Sequence, residues 1–284
     1  MRSHLLAKTV FDAQVIRDEI DIILEKDVPQ HYSDFVFGIW KSYVLYNGTG
    51  EENDALLSEF EGNAVPTPLG LRLKGIRNLI ESSFDVNHLR WARAFVLRDG
   101  VLLPHRDFLE LKNGFTRLHL PIQTDLTCLH SEEDEVFHMG TGEIWALDAR
   151  RVHSACNLRS SARVTLCLDF RPDVPISSLL IHGLNGLSES VPYIVSRPPL
   201  DEETMAWIRG VLWESSAENF REVVGTLCRV HFERSASAGA VYDWLIQFLS
   251  ERGESDLLHR AVALRTFAIG ERCGSEHVFD RSDA

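Results

Sequence analysis

The stretch Arg163-Val-Thr-Leu-Cys-Leu-Asp-Phe170 alternates strictly, with Val164, Leu166, Leu168 and Phe170 on one side and Arg163, Thr165, Cys167 and Asp169 on the other. Successive side chains of a strand point to opposite faces, so this stretch reads as a strand with one apolar and one polar face. Phe115-Thr-Arg-Leu-His-Leu-Pro-Ile122 repeats the pattern: Phe115, Arg117 and His119 stand opposite Leu118, Leu120 and Ile122. A third segment, 89–97, sets Arg93 among Trp91, Phe95 and Leu97. Further short strands are expected at 101–105, 135–139 and 142–147. Short strands this closely spaced leave no room for crossover helices and predict a sandwich or barrel.

The polar faces admit two readings. They can face water, as one side of an antiparallel sheet commonly does. Alternatively the apolar faces pack under helices and the polar faces line a barrel interior. In that case each inward arginine needs an anion, from the protein or from a ligand, because an unpaired buried charge is too costly.

Helices are expected on both sides of this β region. Val15, Ile16, Ile20, Ile23 and Leu24 recur at helical spacing over 12–26, and a second amphipathic helix is expected over 69–82. Between them, Phe35, Phe37, Trp40, Tyr43, Val44 and Tyr46 suggest strands over 32–46, ended by Asn47-Gly-Thr-Gly50. A polar stretch then runs to the Pro66-Thr67-Pro68 break and reads as a mobile or functional loop. Residues 191–200, with Pro192, Pro198 and Pro199, read as a linker, and 201–274 as a helical subdomain.

Composition excludes several classes. Among 284 residues, 29 Lys and Arg stand against 42 Asp and Glu, a net charge of −13, which argues against a nucleic-acid partner. No apolar run approaches the roughly 18 residues of a membrane span, and the opening apolar stretch is too short for a signal-peptide core. The five cysteines, Cys128, Cys156, Cys167, Cys228 and Cys273, are scattered and read as reduced thiols of a cytoplasmic protein.

His105-Arg106-Asp107 follows the segment Val101-Leu-Leu-Pro104. Residues two apart in an extended chain point the same way, so His105 and Asp107 can hold one metal, with His153 further on as a third ligand. Two imidazoles and a carboxylate on one face form the triad of non-haem Fe(II) oxygenases. His-x-Asp/Glu also occurs at His130/Glu132 and His231/Glu233. The former adjoins the acidic run 132–135, which reads as a solvated loop or turn; the latter lies in a helical region, where residues two apart diverge. On strand context alone, three satisfied polar residues remain the alternative to a metal site.

Beyond these residues the chain resembles the bacterial free-proline hydroxylases, the cis-3 and cis-4 type. These lie within the aspartyl/asparaginyl β-hydroxylase branch of the Fe(II)/2-oxoglutarate dioxygenases. The resemblance runs through Met1-Arg-Ser-His4, Tyr32-Ser-Asp-Phe35…Trp40, Pro104-His-Arg-Asp107, Arg117-Leu-His119, Phe137-His-Met-Gly140, Gly142-Glu-Ile-Trp145 and Leu147-Asp148…Val152-His-Ser-Ala155. It extends to Glu218-Asn-Phe-Arg221 and Tyr242-Asp-Trp-Leu245 in the helical part.

The resemblance implies a mainly β fold: a double-stranded β-helix (jelly-roll, cupin-like) barrel over 1–198, flanked by helices, and a C-terminal helical domain over 199–284. It implies Fe(II) held by His105, Asp107 and His153, and 2-oxoglutarate held by Arg163 and His119, with dioxygen as oxidant. Arg117 and Arg93 are left for the substrate carboxylate, and Trp145 is a candidate pocket-lining residue. The implied reaction is hydroxylation of an unactivated C–H bond of a free amino acid, L-proline or a cyclic analogue such as pipecolate or a methylproline. The expected partner is a small molecule, not nucleic acid or membrane, with a homodimer compatible. Rival readings are hydroxylation of another free amino acid or of a peptide- or carrier-bound residue, a cupin-like isomerase, and a non-catalytic binder on the same fold.

Overall fold

Eleven strands and seven helices order the described residues, which in this computed structural model are 2–28, 33–109, 111, 113–181 and 192–270. Tyr32, Val191 and Cys273 lie outside them. The strands are β1 (His4–Lys8), β2 (Val36–Asn47), β3 (Val65–Pro66), β4 (Leu89–Leu102), β5 (Thr116–Gln123), β6 (Cys128–Glu132), β7 (Glu135–His138), β8 (Glu143–Leu147), β9 (His153–Asn157), β10 (Arg163–Phe170) and β11 (Tyr193–Ile194). Helices α1 (Ala13–Glu25), α2 (Pro68–Arg72) and α3 (Lys74–Ser83) precede β4. Helices α4 (Glu202–Trp213), α5 (Phe220–Glu233), α6 (Ala240–Arg252) and α7 (Ser255–Ile269) end the described chain.

The order β1-β8-β5-β10-β4 makes one antiparallel sheet, with β2 on the outer side of β4. The order β9-β6-β7-β11 makes a second. Strand β4 belongs to both: Leu89 to Leu97 pair with β10, whereas Gly100 and Val101 pair with β9. This is a double-stranded β-helix. The sequence suggests two strands at 89–97 and 101–105, but the chain runs through as one strand bent near Asp99, whose φ is +42°. On β2 the register slips at Gly38 opposite that bend. A Cβ on Gly38 would lie 2.5 Å from the Asp99 carbonyl oxygen, so only glycine fits there.

The apolar faces of β5 and β10 do pack under helices. Leu118, Leu120, Val164, Leu166 and Leu168 share a core with Ile16, Ile20 and Ile23 of α1 and Ile76, Leu79 and Ile80 of α3. The helix expected over 69–82 is two, broken at Leu73. Thr67 caps the first, its Oγ1 accepting from Gly70 N–H at 3.1 Å. The Glu19 carboxylate caps the second, accepting from Gly75 and Ile76 N–H at 2.7 Å each. A second core joins Val36, Trp40, Leu97, Val101 and Leu103 of the β layers to Leu227, Leu245, Leu249 and Leu264 of α5–α7.

Strands β6 and β9 have no counterpart in the sequence reading, because their polar residues look solvated and are not. Ser131 and His231 are hydrogen-bonded at 2.9 Å in the interior, and Glu132 accepts from the Arg2 and Ser3 N–H groups at 2.6 and 2.8 Å. Ser154 Oγ donates to Leu102 O at 2.7 Å. Buried polar groups with partners are ordinary interior. The acidic run is therefore a hairpin, turning at Glu133 with φ +53°. Of the stretch 191–200, the described residues 192–200 are more than a linker, since β11 pairs with β7 and Pro199 bridges to Ser235. The described cysteines, Cys128, Cys156, Cys167 and Cys228, are buried free thiols. No helix among the described residues is long and apolar enough to cross a membrane.

Burial pushes the His231 imidazole down to about 3, helped by the Arg197 guanidinium. An unfolded chain takes up this proton near pH 6.5 while the folded chain resists, so stability falls as pH drops from about 6.5 toward 3. The loss approaches 1.4 kcal/mol per pH unit from this group. Urea unfolding at pH 7 and pH 5 should show it, and His231→Gln should flatten the difference. An unchanged difference in that variant would remove His231 as the cause.

Candidate active site

The end of β4 and the start of β9 meet at a two-hydrogen-bond bridge. His105 N–H donates to His153 O and His153 N–H to His105 O, both at 2.9 Å. That pairing sets the two rings 4.4 Å apart, and Asp107, two residues on, returns its carboxylate to the same point. Asp107 Oδ1 is 3.5 Å from His105 Nε2, and Oδ2 is 3.5 Å from His153 Nε2. One ligand atom from each of the three lies within 4.8 Å of the others.

The second ring nitrogens orient the set. His105 Nδ1 lies 2.7 Å from Leu103 O, and His153 Nδ1 lies 3.0 Å from Arg151 O. A carbonyl only accepts, so Nδ1 carries the proton and Nε2 presents its lone pair toward Asp107, the tautomer of a metal-bound histidine. Burial, then His153, lowers the His105 pKa, which keeps that ring neutral. Burial pushes the Asp107 carboxyl up, but the carboxyl is held well below the usual range, with the Arg117 guanidinium the largest influence pulling it down. The donor set, two imidazole nitrogens and one ionised carboxylate on one side, fits Fe(II) with open positions opposite.

The triad lies at the wall of a cavity of ≈ 120 Å³, also lined by Arg93, Arg117, His119, His130, Arg163 and Thr165. Its apolar wall includes Phe35, Trp40, Phe95, Leu97 and Phe108. The inward polar faces of β4, β5 and β10 thus line an interior. The reason all three arginines can be buried divides them into two groups.

Arg93 and Arg117 share a protein carboxylate, Asp169, which sits opposite Arg117 in the β10–β5 register. Arg117 grips it with Nε at 2.7 Å and Nη2 at 3.0 Å, and Arg93 Nη2 donates at 2.8 Å. Arg117 Nη1 also donates to Asp107 Oδ2. Phe95 lies against the Arg93 guanidinium at 4.9 Å and Phe108 against Arg117 at 4.7 Å. Arg163 differs. Its Nη1 donates to Leu129 O at 2.9 Å, and no carboxylate among the described residues pairs with it. Burial lowers its pKa. Near it, both ring nitrogens of His119, Nδ1 of His130 and Oγ1 of Thr165 are buried without a hydrogen-bond partner. These orphaned polar atoms, each imidazole able to donate from one nitrogen, beside the Arg163 guanidinium fit a bound carboxylate, as 2-oxoglutarate carries at each end.

The structure corrects one expected site residue. Trp145 is fully buried away from the cavity, stacked on Phe137 at 5.0 Å with its indole N–H donating to Glu143 at 3.0 Å. The roles of two residues were not legible in the sequence. Asp169 was visible as the one carboxylate on the polar face of its strand. His130, beside an acidic run that reads as a solvated loop or turn, is on β6 with its ring stacked on His153 at 5.8 Å. The alternation Cys128, His130, Glu132 carried that signal.

Because Asp169 is the carboxylate shared by two buried guanidiniums, Asp169→Asn should cost about 3–5 kcal/mol, the usual loss when one partner of a buried charge group is removed. The urea midpoint would fall with an unchanged slope. A change below about 1 kcal/mol would mean that Asp169 does not hold the two arginines.

The comparisons with known proteins agree along the chain. Residues 11–172 match the family model for aspartyl/asparaginyl β-hydroxylase, and residues 184–276 match that for the C-terminal part of L-proline 3-hydroxylase. An L-proline cis-4-hydroxylase of Rhizobium meliloti (strain 1021) is 33% identical over 273 residues, 96% of this chain and 97% of that protein. An L-proline cis-3-hydroxylase of Streptomyces sp is 32% identical over 283 residues, 97% and 98% of the two chains. A solved 2OG-Fe(II) oxygenase family oxidoreductase from Burkholderia pseudomallei is 10% identical with a TM-score of 0.33, covering 57% of this chain and 80% of that one.

Proposed function

The chain belongs to the aspartyl/asparaginyl β-hydroxylase family and groups with its proline cis-hydroxylases, and from that premise we propose that it hydroxylates free L-proline. It is an Fe(II)- and 2-oxoglutarate-dependent dioxygenase. The observation that carries the substrate class is the charge of the cavity. Arg93, Arg117 and Arg163 stand against Asp107 and Asp169, an excess of one positive charge before any metal. A divalent metal raises the excess to three and a dianionic co-substrate returns it to one, which leaves a positive site for a substrate carboxylate; the ring nitrogen of a zwitterionic amino acid adds its own charge outside this sum. A small carboxylate-bearing substrate suits that balance.

His105, Asp107 and His153 would hold Fe(II). Arg163 would take the distal carboxylate of 2-oxoglutarate, a task suited to a planar guanidinium, and His119 the carboxylate nearer the metal. Arg117 and Arg93, braced by Asp169, would take the α-carboxylate of proline. When bound, iron, 2-oxoglutarate and dioxygen supply the oxidation, giving hydroxyproline, succinate and carbon dioxide. The protein orients the substrate and keeps water away from it. Phe35, Trp40, Phe95 and Leu97 give the ring an apolar wall. Which ring carbon reacts depends on where the carboxylate clamp places it relative to the metal.

We further propose an oxygenase domain over 1–198 and a helical domain over 199–284, in a cytoplasmic enzyme acting without nucleic acid or membrane, as a monomer or homodimer.

The test is succinate release from purified protein with Fe(II), 2-oxoglutarate and ascorbate, against L-proline, L-pipecolate and other free amino acids. The expected result is succinate matched one-to-one by a +16 product of L-proline. Succinate without that product would send the substrate elsewhere, and no succinate from iron-loaded protein would end the reading.

A further inference from the structure

The middle residue of His105-Arg106-Asp107 has no place in the chemistry above, and it does not line the cavity. In an extended segment it must point opposite to its two neighbours. It meets the C-terminal helices. Its backbone N–H donates to Ala268 O at 2.9 Å and its Nη1 to Ile269 O at 3.3 Å. These are carbonyls of the last turn of α7, which have no partner within the helix and carry the negative end of its dipole. A guanidinium there satisfies both demands.

The same side chain reaches a second target. Arg106 Nε donates to Arg150 O at 2.6 Å, in the turn that leads into His153, and Asp107 N–H donates to Ala149 O in that turn at 2.8 Å. On the other side of His105, the buried phenol of Tyr242 on α6 donates to Pro104 O. Phe35 completes the contact, its ring 5.0 Å from His105 and stacked 4.9 Å from Phe267 of α7. Both neighbours of His105 are therefore anchored in the helical layer, and Arg106 joins that layer to the loop carrying His153.

We propose that Arg106 and Tyr242 are positioning residues through which the C-terminal helices form part of the metal centre. The layer holds His105 and Asp107 in place before the ion arrives, so their geometry need not be assembled on binding. The proposal rests on the metal reading of His105, Asp107 and His153. It assigns the helical domain a role in metal affinity beyond covering apolar surface.

The test is Co(II) binding to the full chain, read by titration calorimetry and by the visible absorption of bound Co(II), with thermal unfolding of the metal-free protein alongside. Tyr242→Phe removes one hydroxyl and keeps the ring in its core. It should weaken Co(II) affinity by about tenfold, the lower end for loss of an outer-shell partner. Arg106→Met should weaken it by at least as much and alter the absorption band. Arg106→Lys keeps a cation at the helix end but loses the fork to Arg150 O, and should fall between. A merely structural role would lower the unfolding temperature and leave affinity and spectrum unchanged. Unchanged affinity in folded Tyr242→Phe, with wild-type binding abolished by His153→Ala, overturns this proposal alone. Wild-type binding that survives His153→Ala overturns the metal reading and this proposal with it.

Discussion

Replacing His153 by alanine is expected to abolish turnover while leaving the barrel folded. The backbone bridge between His153 and His105 uses only main-chain atoms, both hydrogen bonds at 2.9 Å, and survives the substitution. What is lost is the Nε2 lone pair facing Asp107, one of three donors, and with it the facial set that leaves the opposite positions open. The drop should exceed the roughly 100-fold that loss of an outer-shell partner can cause. His105→Ala should behave alike, since its ring is oriented by the same device, Nδ1 on the carbonyl two residues back. Succinate release measures the effect, and thermal unfolding of the metal-free proteins checks the fold. Wild-type turnover in either variant would refute the ligand assignment.

The second large effect is expected at Arg163. Arg163→Met should raise the KM for 2-oxoglutarate far more than the KM for L-proline. Truncating one partner of a buried, hydrogen-bonded charge pair costs about 2–5 kcal/mol, or roughly thirtyfold to several thousandfold in affinity. Arg163→Lys keeps the charge without the fork and should recover part of the loss. Stability should move in neither variant as it does in Asp169→Asn. Arg163 has no carboxylate partner among the described residues and burial already disfavours its charged form, so an apolar chain of similar length relieves a cost. Equal increases in both KM values would show that Arg163 does not anchor the co-substrate.

Asp169 and Arg163 lie on the same face of β10, yet their substitutions are predicted to act on different quantities. The difference lies in what faces each across the barrel. Asp169 meets Arg117 and Arg93, which it braces together. Arg163 meets Leu129 O and the orphaned polar atoms of His119, His130 and Thr165. The cations on one side are braced by a protein carboxylate, and the one on the other side has none among the described residues. That separation accounts for burying three cations in one cavity.

The close spacing of several short strands was enough to predict a sandwich or barrel, and alternation at 115–122 and 163–170 placed Arg117, His119, Arg163 and Asp169 on polar faces. Helical periodicity found α1 and the C-terminal helices, because amphipathic spacing is a local property written in a dozen residues. The pairing of His105 with Asp107 was legible for the same reason, as i and i+2 share a side of any extended segment. Long-range encounters were not legible. Whether the polar faces met water or each other depended on sheets closing over them. The sequence could not show that Asp169 answers two arginines, that His130 lies inside, or that Trp145 packs on Phe137 away from the cavity. Strands β6 and β9 escaped because polar residues satisfied from distant segments resemble solvated ones. Arg106 and Tyr242 flank the metal ligands only because α6 and α7 fold back onto them. The sequence by itself determined the period of each element and the chemistry it carries. The tertiary structure decided which charges are matched within the protein and which are left for a ligand, since burial and pairing are set by residues far apart in the chain.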